Sequence, residues 1–205
     1  MKKRHKILGA TLCLIAVVVG GSFLGIQLSG SMKAEYPMYN SVSEMASVAD
    51  IIVVGKVISA GDVQKLNVSK SLEKATDDDY ITYTVFEIEV ETVLEGNVNE
   101  GDILKVKQLG DYRMNPLSAL KKNDGYFKKD SHQLLFLKEY ETSPCSVVNV
   151  EQGAMLVNED GSLYSKSEYA LFRDAAKGAD CFVTLTEAII EIQEAVTQGE
   201  FARYK

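Results

Sequence analysis

Few residues in this chain are equipped for chemistry. Past the first six positions there is one histidine, His132, and beyond the apolar N-terminal run there are two cysteines, Cys145 and Cys181. A zinc site of the usual three-histidine or two-histidine kind cannot be built from one histidine, and a thiolate site fares no better with Cys145 and Cys181 as the only other soft ligands of the outer domain. A Ser-His-Asp triad would have to use His132, and no serine stands in a Gly-x-Ser-x-Gly turn. Gly-rich phosphate loops do not occur either. His132 is expected at the exposed start of a strand, and no catalytic residue, metal or cofactor is assigned. For Cys145 and Cys181 two readings stand open: a disulfide in an oxidising compartment, or two independent thiols packed as small hydrophobes.

Two acidic clusters could hold a hard cation. Glu87, Glu89 and Glu91 recur at every second position of a strand, where successive side chains on one face stand about 6.5–7 Å apart. With loop carbonyls they could bind Ca²⁺, or two of them could serve a cell-surface hydrolase as acid and base. The preferred reading is a solvated sheet face. Asp77, Asp78 and Asp79 lack the spaced pattern of a calcium loop and read as a solubilising run.

A basic and aromatic loop carries the binding candidates. Between residues 110 and 131, Tyr112, Tyr126 and Phe127 are interleaved with Arg113, Lys121 and Lys122. Aromatic faces supply contact area and the cations supply attraction, a combination suited to an anionic wall polymer, a lipid headgroup or an acidic partner surface.

The elements that position these residues follow from charge and periodicity. MKKRHK opens the chain with four Lys and Arg and no acid. Beyond it, 18 Lys and Arg face 29 Asp and Glu, a formal charge of −11 that disfavours nucleic-acid binding. Residues 7–28 contain no charged side chain. That is the length of a membrane-spanning helix, and the basic flank 1–6 should stay in the cytoplasm with the C-terminal body outside. An uncleaved anchor is preferred, because the apolar run continues through Phe23, Leu24 and Ile26; a cleaved signal peptide, cut near Gly20–Ser22 or Ser29–Ser31, is the alternative. Residues 29–40 form a spacer and 41–205 the outer domain.

Within that domain Ser41 and Glu44 make a capping box before Val42, Met45, Ala46 and Ala49 at helical spacing. Residues 51–60 are apolar on both faces, as in a closed barrel, and Gly55 marks a bend or bulge. Residues 61–79 read as a long exposed loop. Residues 80–94 form a long strand with Thr84, Phe86, Ile88, Val90 and Thr92 inward. Further strands are expected at 103–109, 133–140, 146–150, 154–157 and 163–164, a helix at 168–177, and a capped helix from Thr184 to Gly199 with Leu185, Ile189, Ile192 and Val196 as its apolar stripe. The fold class is mainly β (α+β): a small five-stranded OB-like barrel with flanking short helices.

The segments ADIIVVGKVISA (49–60), TVFEIEVETVLEGNVNEGDILKVKQLG (84–110) and LLFLKEY (134–140) resemble, in pattern and order, an exported protein type of Gram-positive bacteria. They are also similar to the netrin-like domain, the OB-type barrel of tissue inhibitors of metalloproteinases. The resemblance spans roughly residues 45–164 and implies that fold. Those inhibitors chelate protease zinc through an N-terminal cysteine. No cysteine starts the outer domain here, so neither the mechanism nor a site residue is carried over. The sequence reading is therefore a membrane-tethered extracytoplasmic binding module, non-enzymatic, with a cell-surface protein or anionic wall polymer as partner. A carboxylate hydrolase, or an inhibitor or sensor that docks proteins, is the alternative. Protease added to intact protoplasts should digest the domain; full protection would refute the topology.

Overall fold

Residues 51–57 are the pivot of the architecture. In the computed structural model, which describes residues 37–67, 80–113, 127–174, 176–178 and 181–203, they form β1 (Ile51–Val57). This strand pairs antiparallel with β3 (Tyr80–Glu95) on one side and with β5 (His132–Lys138) on the other. β3 continues to β4 (Ile103–Leu109), β4 pairs parallel with β6 (Cys145–Val147), and β6 returns antiparallel to β5. The ring is a closed five-stranded barrel, consistent with an OB-like barrel. Outside it, β2 (Asp62–Asn67) adds to β3, while β7 (Ala154–Val157) and β8 (Leu163–Tyr164) extend from β5.

Double pairing makes both faces of β1 interior. Ile51, Val53 and Val57 point into the barrel with Phe86, Ile88, Val90, Val106, Leu135 and Leu137. Ile52 and Val54 point outward with Leu134 and Phe136, and are covered by α1 (Val42–Val48) and α2 (Leu185–Arg203). Gly55 belongs to the inward set. A Cβ there would stand 2.6 Å from Ile88 Cγ2 and 2.8 Å from the Glu89 carbonyl oxygen. Only glycine lets the two backbones approach so closely.

Both helices start as their sequences dictate. Ser41 Oγ accepts from the Glu44 amide at 3.1 Å, while the Glu44 carboxylate reaches back to the Asn40 amide at 2.8 Å. Thr184 and Glu187 make the reciprocal box, at 2.7 Å from the Thr184 amide to Glu187 and 3.3 Å from the Glu187 amide to Thr184. The second helix runs through Gly199, and Ala188, Ile192 and Ala195 are its buried residues.

Three expectations are corrected, and the open choice for the cysteines is decided. Residues 62–67, expected in a loop, form β2, an edge strand with polar residues on both faces. The expected helix at 168–177 is irregular: Ala170 and Phe172 alternate inward, and Arg173 bridges Phe182 as in a strand pair. β3 gains an extra residue against β1 between Val90 and Thr92 and another between Val93 and Glu95. Each bulge reverses the pleat, so Val93, not Thr92, follows Val90 into the barrel interior, and Leu94 packs on the outer core. Cys145 and Cys181 are both free. Cys145 lies in the barrel interior, where burial pushes its thiol above the ordinary range, and Cys181 follows the turn at Gly178. The expected anchor at 7–28 and the Asp77–Asp79 run lie outside the described residues, among which no helix is long and apolar enough to cross a membrane.

Two buried amides fix the start of the described chain. Asn149, fully buried, donates to the Pro37 carbonyl at 2.6 Å. Gln152, 2% exposed, accepts from the Tyr39 amide at 2.9 Å and donates to the carbonyls of Tyr39 and Tyr169 at 2.8 and 3.0 Å. Breaking such bonds would strand buried polar groups, so residues 37–40 are held firmly to the 149–153 turn.

Ile88→Ala should cost about 2–5 kcal/mol in chemical denaturation, whereas Glu89→Ala, on the exposed side of the strand, should stay within about 0.5 kcal/mol. Equal losses would refute the face assignment. Gly55→Val should destabilise by about 1–3 kcal/mol or more, because one of the atoms it meets is backbone.

Candidate functional site

Among the described residues, helices cover the barrel's outer wall on one side only. Where β1, β5 and β7 form it, the two helices lie over Ile52, Val54, Leu134, Phe136 and Met155. Where β3, β4 and β6 form it, polar side chains such as Glu89 and Lys105 face solvent, while Val85 is buried. Val85, Lys107, Ser146 and Lys138 are successive register partners across β3, β4, β6 and β5, so they make one row on this wall. Rows of this kind step about 4.8 Å per strand.

Lys107 is the centre of the row. Its neighbour Val106 points into the barrel, so alternation sends the lysine outward. Its Nζ donates to Ser143 Oγ at 2.6 Å. It also lies 4.2 Å from the centroid of the Tyr140 ring and 5.6 Å from that of Tyr83. The Tyr140 hydroxyl and Ser146 Oγ are 3.0 Å apart. Burial pushes the Lys107 ammonium below its ordinary range, but two ring faces favour the charged form. In its charged form the lysine is the donor to Ser143. Its charge is met by rings and a hydroxyl, and among the described residues it forms no ion pair.

Tyr140 and Ser146 also belong to a neighbouring cleft of about 670 Å³, whose wall includes Tyr39, Asp50, Glu95 and Lys138. Lys138 pairs with Asp50 at 2.7 Å and donates to the Val48 carbonyl at 3.4 Å, near the C-terminus of α1. The Glu139 amide donates to the other Asp50 oxygen at 2.9 Å. The Lys138 bond is the main reason that the Asp50 carboxyl is held below its usual range. The cleft thus sets hydroxyls and paired charges beside Lys107.

The basic–aromatic loop begins at the end of this same wall, but its aromatic residues are differently used. Phe127 is a core residue, 7% exposed, and its ring meets Phe86 edge-on at 5.5 Å, closing the barrel interior. Tyr112 is half-buried, 6.4 Å from Phe86, and its amide donates to the buried Thr84 hydroxyl at 3.3 Å. Arg113 is exposed and pairs with Asp111 at 3.2 Å, which raises the guanidinium above its ordinary value. Lys121, Lys122 and Tyr126 lie outside the described residues. His132 stands at the start of β5 with its Nδ1 2.8 Å from the Glu91 carboxylate. Glu89 and Glu91 are exposed and Glu87 half-buried, and the bulge at Glu91 takes it out of line with the other two. Among the described residues no group of three or more His, Cys, Asp or Glu side chains is placed to hold a metal ion.

Lys107, Tyr83, Tyr140 and Ser143 did not stand out in the sequence. The lysine alternates as any solvent-facing strand residue does, and Ser143 is 36 positions away.

The Asp50–Lys138 pair has a testable pH dependence. A carboxyl depressed by folding contributes stability above its unfolded pKa, and that stability is lost as pH falls through the folded value. Both partners are well exposed, so Asp50→Asn should cost no more than about 1 kcal/mol at pH 7. The difference from the parent should fade in acid; a cost independent of pH would contradict the ion pair.

No family model matches the chain and no curated protein matches it, so the outer wall itself carries the functional reading.

Proposed function

We propose that this chain is a membrane-tethered extracytoplasmic binding module that holds an anionic wall polymer on the open β3–β4–β6 wall. The carrying observation is Lys107, whose ammonium is fixed between Tyr83, Tyr140 and Ser143 with no carboxylate partner among the described residues. A fixed cation between aromatic faces is ready to accept phosphate or carboxylate without first breaking an ion pair. OB-type barrels bind linear ligands on the face of their second and third strands, here β3 and β4, with the loop between the fourth and fifth, here 139–144. The hydroxyls of Tyr140, Ser143 and Ser146 beside Lys107 fit a saccharide or polyol polymer as the ligand class.

The reading includes a netrin-like form of the OB-type barrel, supported by the strand order and by a helix before and after the ring. It includes residues 7–28 as the anchor, supported by their uncharged run behind a basic flank. It also takes the module as non-enzymatic, supported by the exposure of Glu89 and Glu91. Lys121 and Lys122 add positive charge to the loop that leaves this wall after Leu109.

Full-length protein in detergent should bind an immobilised phosphate-bearing wall polymer with an affinity that falls as salt is raised. Lys107→Met keeps the apolar stem and should weaken binding roughly tenfold, the loss of one charge-assisted hydrogen bond, with the thermal transition little changed. Lys121→Glu with Lys122→Glu should weaken it further and flatten the salt dependence. Unchanged affinity in Lys107→Met, or binding only to a surface protein, would refute this reading.

A further inference from the structure

The turn that holds the start of the described chain is ringed by exposed apolar side chains. Met38 is 42% exposed, Val150 51% and Tyr169 53%. The Asn149–Gln152 bonds join them: Asn149 touches the Met38 sulfur at 3.6 Å, Val150 follows Asn149, and Gln152 bonds the Tyr169 carbonyl at 3.0 Å. Both amides are buried, so the patch is built on a rigid base. Scattered apolar residues on a surface need no explanation, but three set round one rigid turn mark an interaction site.

We infer that this patch rests on the lipid surface. The inference depends on the tether in the proposed function and adds which face of the barrel meets the bilayer. Eight residues, 29–36, separate the apolar run from Pro37. Even fully extended they span no more than about 30 Å, so a chain anchored through 7–28 keeps Pro37 near the bilayer. The amides then hold Met38, Val150 and Tyr169 beside Pro37. Methionine, valine and tyrosine suit the headgroup boundary, where an apolar body and a polar tip are both satisfied. Two neighbouring carboxylates set the depth. Glu168 and Glu151 together hold the Tyr169 hydroxyl above its ordinary range. Charges this close keep the patch at headgroup level and weaken its docking on anionic lipid. The open wall with Lys107 stays available to polymer.

Because the chain contains no tryptophan, one introduced tryptophan reads the contact directly. Full-length Val150→Trp and, separately, Tyr169→Trp are reconstituted in phosphatidylcholine vesicles, with and without bromine on the acyl chains near the headgroups. Ile103→Trp is the control: β6 runs parallel to β4, so Ile103 at the start of β4 and Val150 beyond the end of β6 lie towards opposite ends of that pair. Emission at 150 and 169 should shift to shorter wavelength and lose intensity in brominated vesicles, and both effects should shrink when phosphatidylglycerol is added. Emission at 103 should do neither. Flotation of the protein with the vesicles, measured alongside, reads the tether by itself. Flotation with no quenching at 150 and 169 overturns the docking and leaves the tether standing; equal quenching at all three positions overturns the choice of face; failure to float overturns both.

Discussion

The double pairing of β1 is the constraint from which the rest of this structure follows. Ile51–Val57 is hydrogen-bonded along both edges, to β3 and to β5, and this closes the ring. Closure needs a close backbone approach at Gly55 and two bulges in β3, which let a 16-residue strand curve round a seven-residue one. The curvature brings Phe86, Ile88 and Val90 against Leu135 and Leu137 inside, and it turns Ile52 and Val54 outward. An apolar outer face on β1 and β5 must itself be covered, so the helices dock there.

That covering divides the barrel's outer wall. The side under α1 and α2 is closed, and no described helix covers the side formed by β3, β4 and β6. On it Lys107 is positioned by residues from three places in the chain: Tyr83 on β3, and Tyr140 and Ser143 in the connection between β5 and β6. β6 pairs with only two residues of β4. This short parallel contact seats Ser146 between Lys107 and Lys138 and opens the cleft beside Tyr140. The arrangement round Lys107 is thus a by-product of how the ring closes.

Much of the fold could be read from local signals. Both capping boxes, the two-faced apolar run of β1 and the need for glycine at 55 are each written within a few residues. So are the turns at Gly96 and Gly101, where φ is positive. Features set by distant partners could not be read. The strand Asp62–Asn67 has no alternation, because its stabilisation comes from backbone pairing with β3. Residues 168–174 carry helix formers, yet Ala170 and Phe172 are drawn inward by the Arg173–Phe182 bridge. Phe127 looked like a contact residue because it sits among lysines, but Phe86 takes it into the core. Lys107 drew no notice because its partners converge only when the ring is closed.

Hydrogen–deuterium exchange of the full-length protein, with and without a phosphate-bearing wall polymer, tests the central claim most directly. Binding to the open wall should slow exchange in 80–87, 105–109 and 139–147 and leave α1 and α2 unchanged. Protection confined to the helices, or none on β4 and the 139–147 segment under conditions where polymer is retained, would contradict the account.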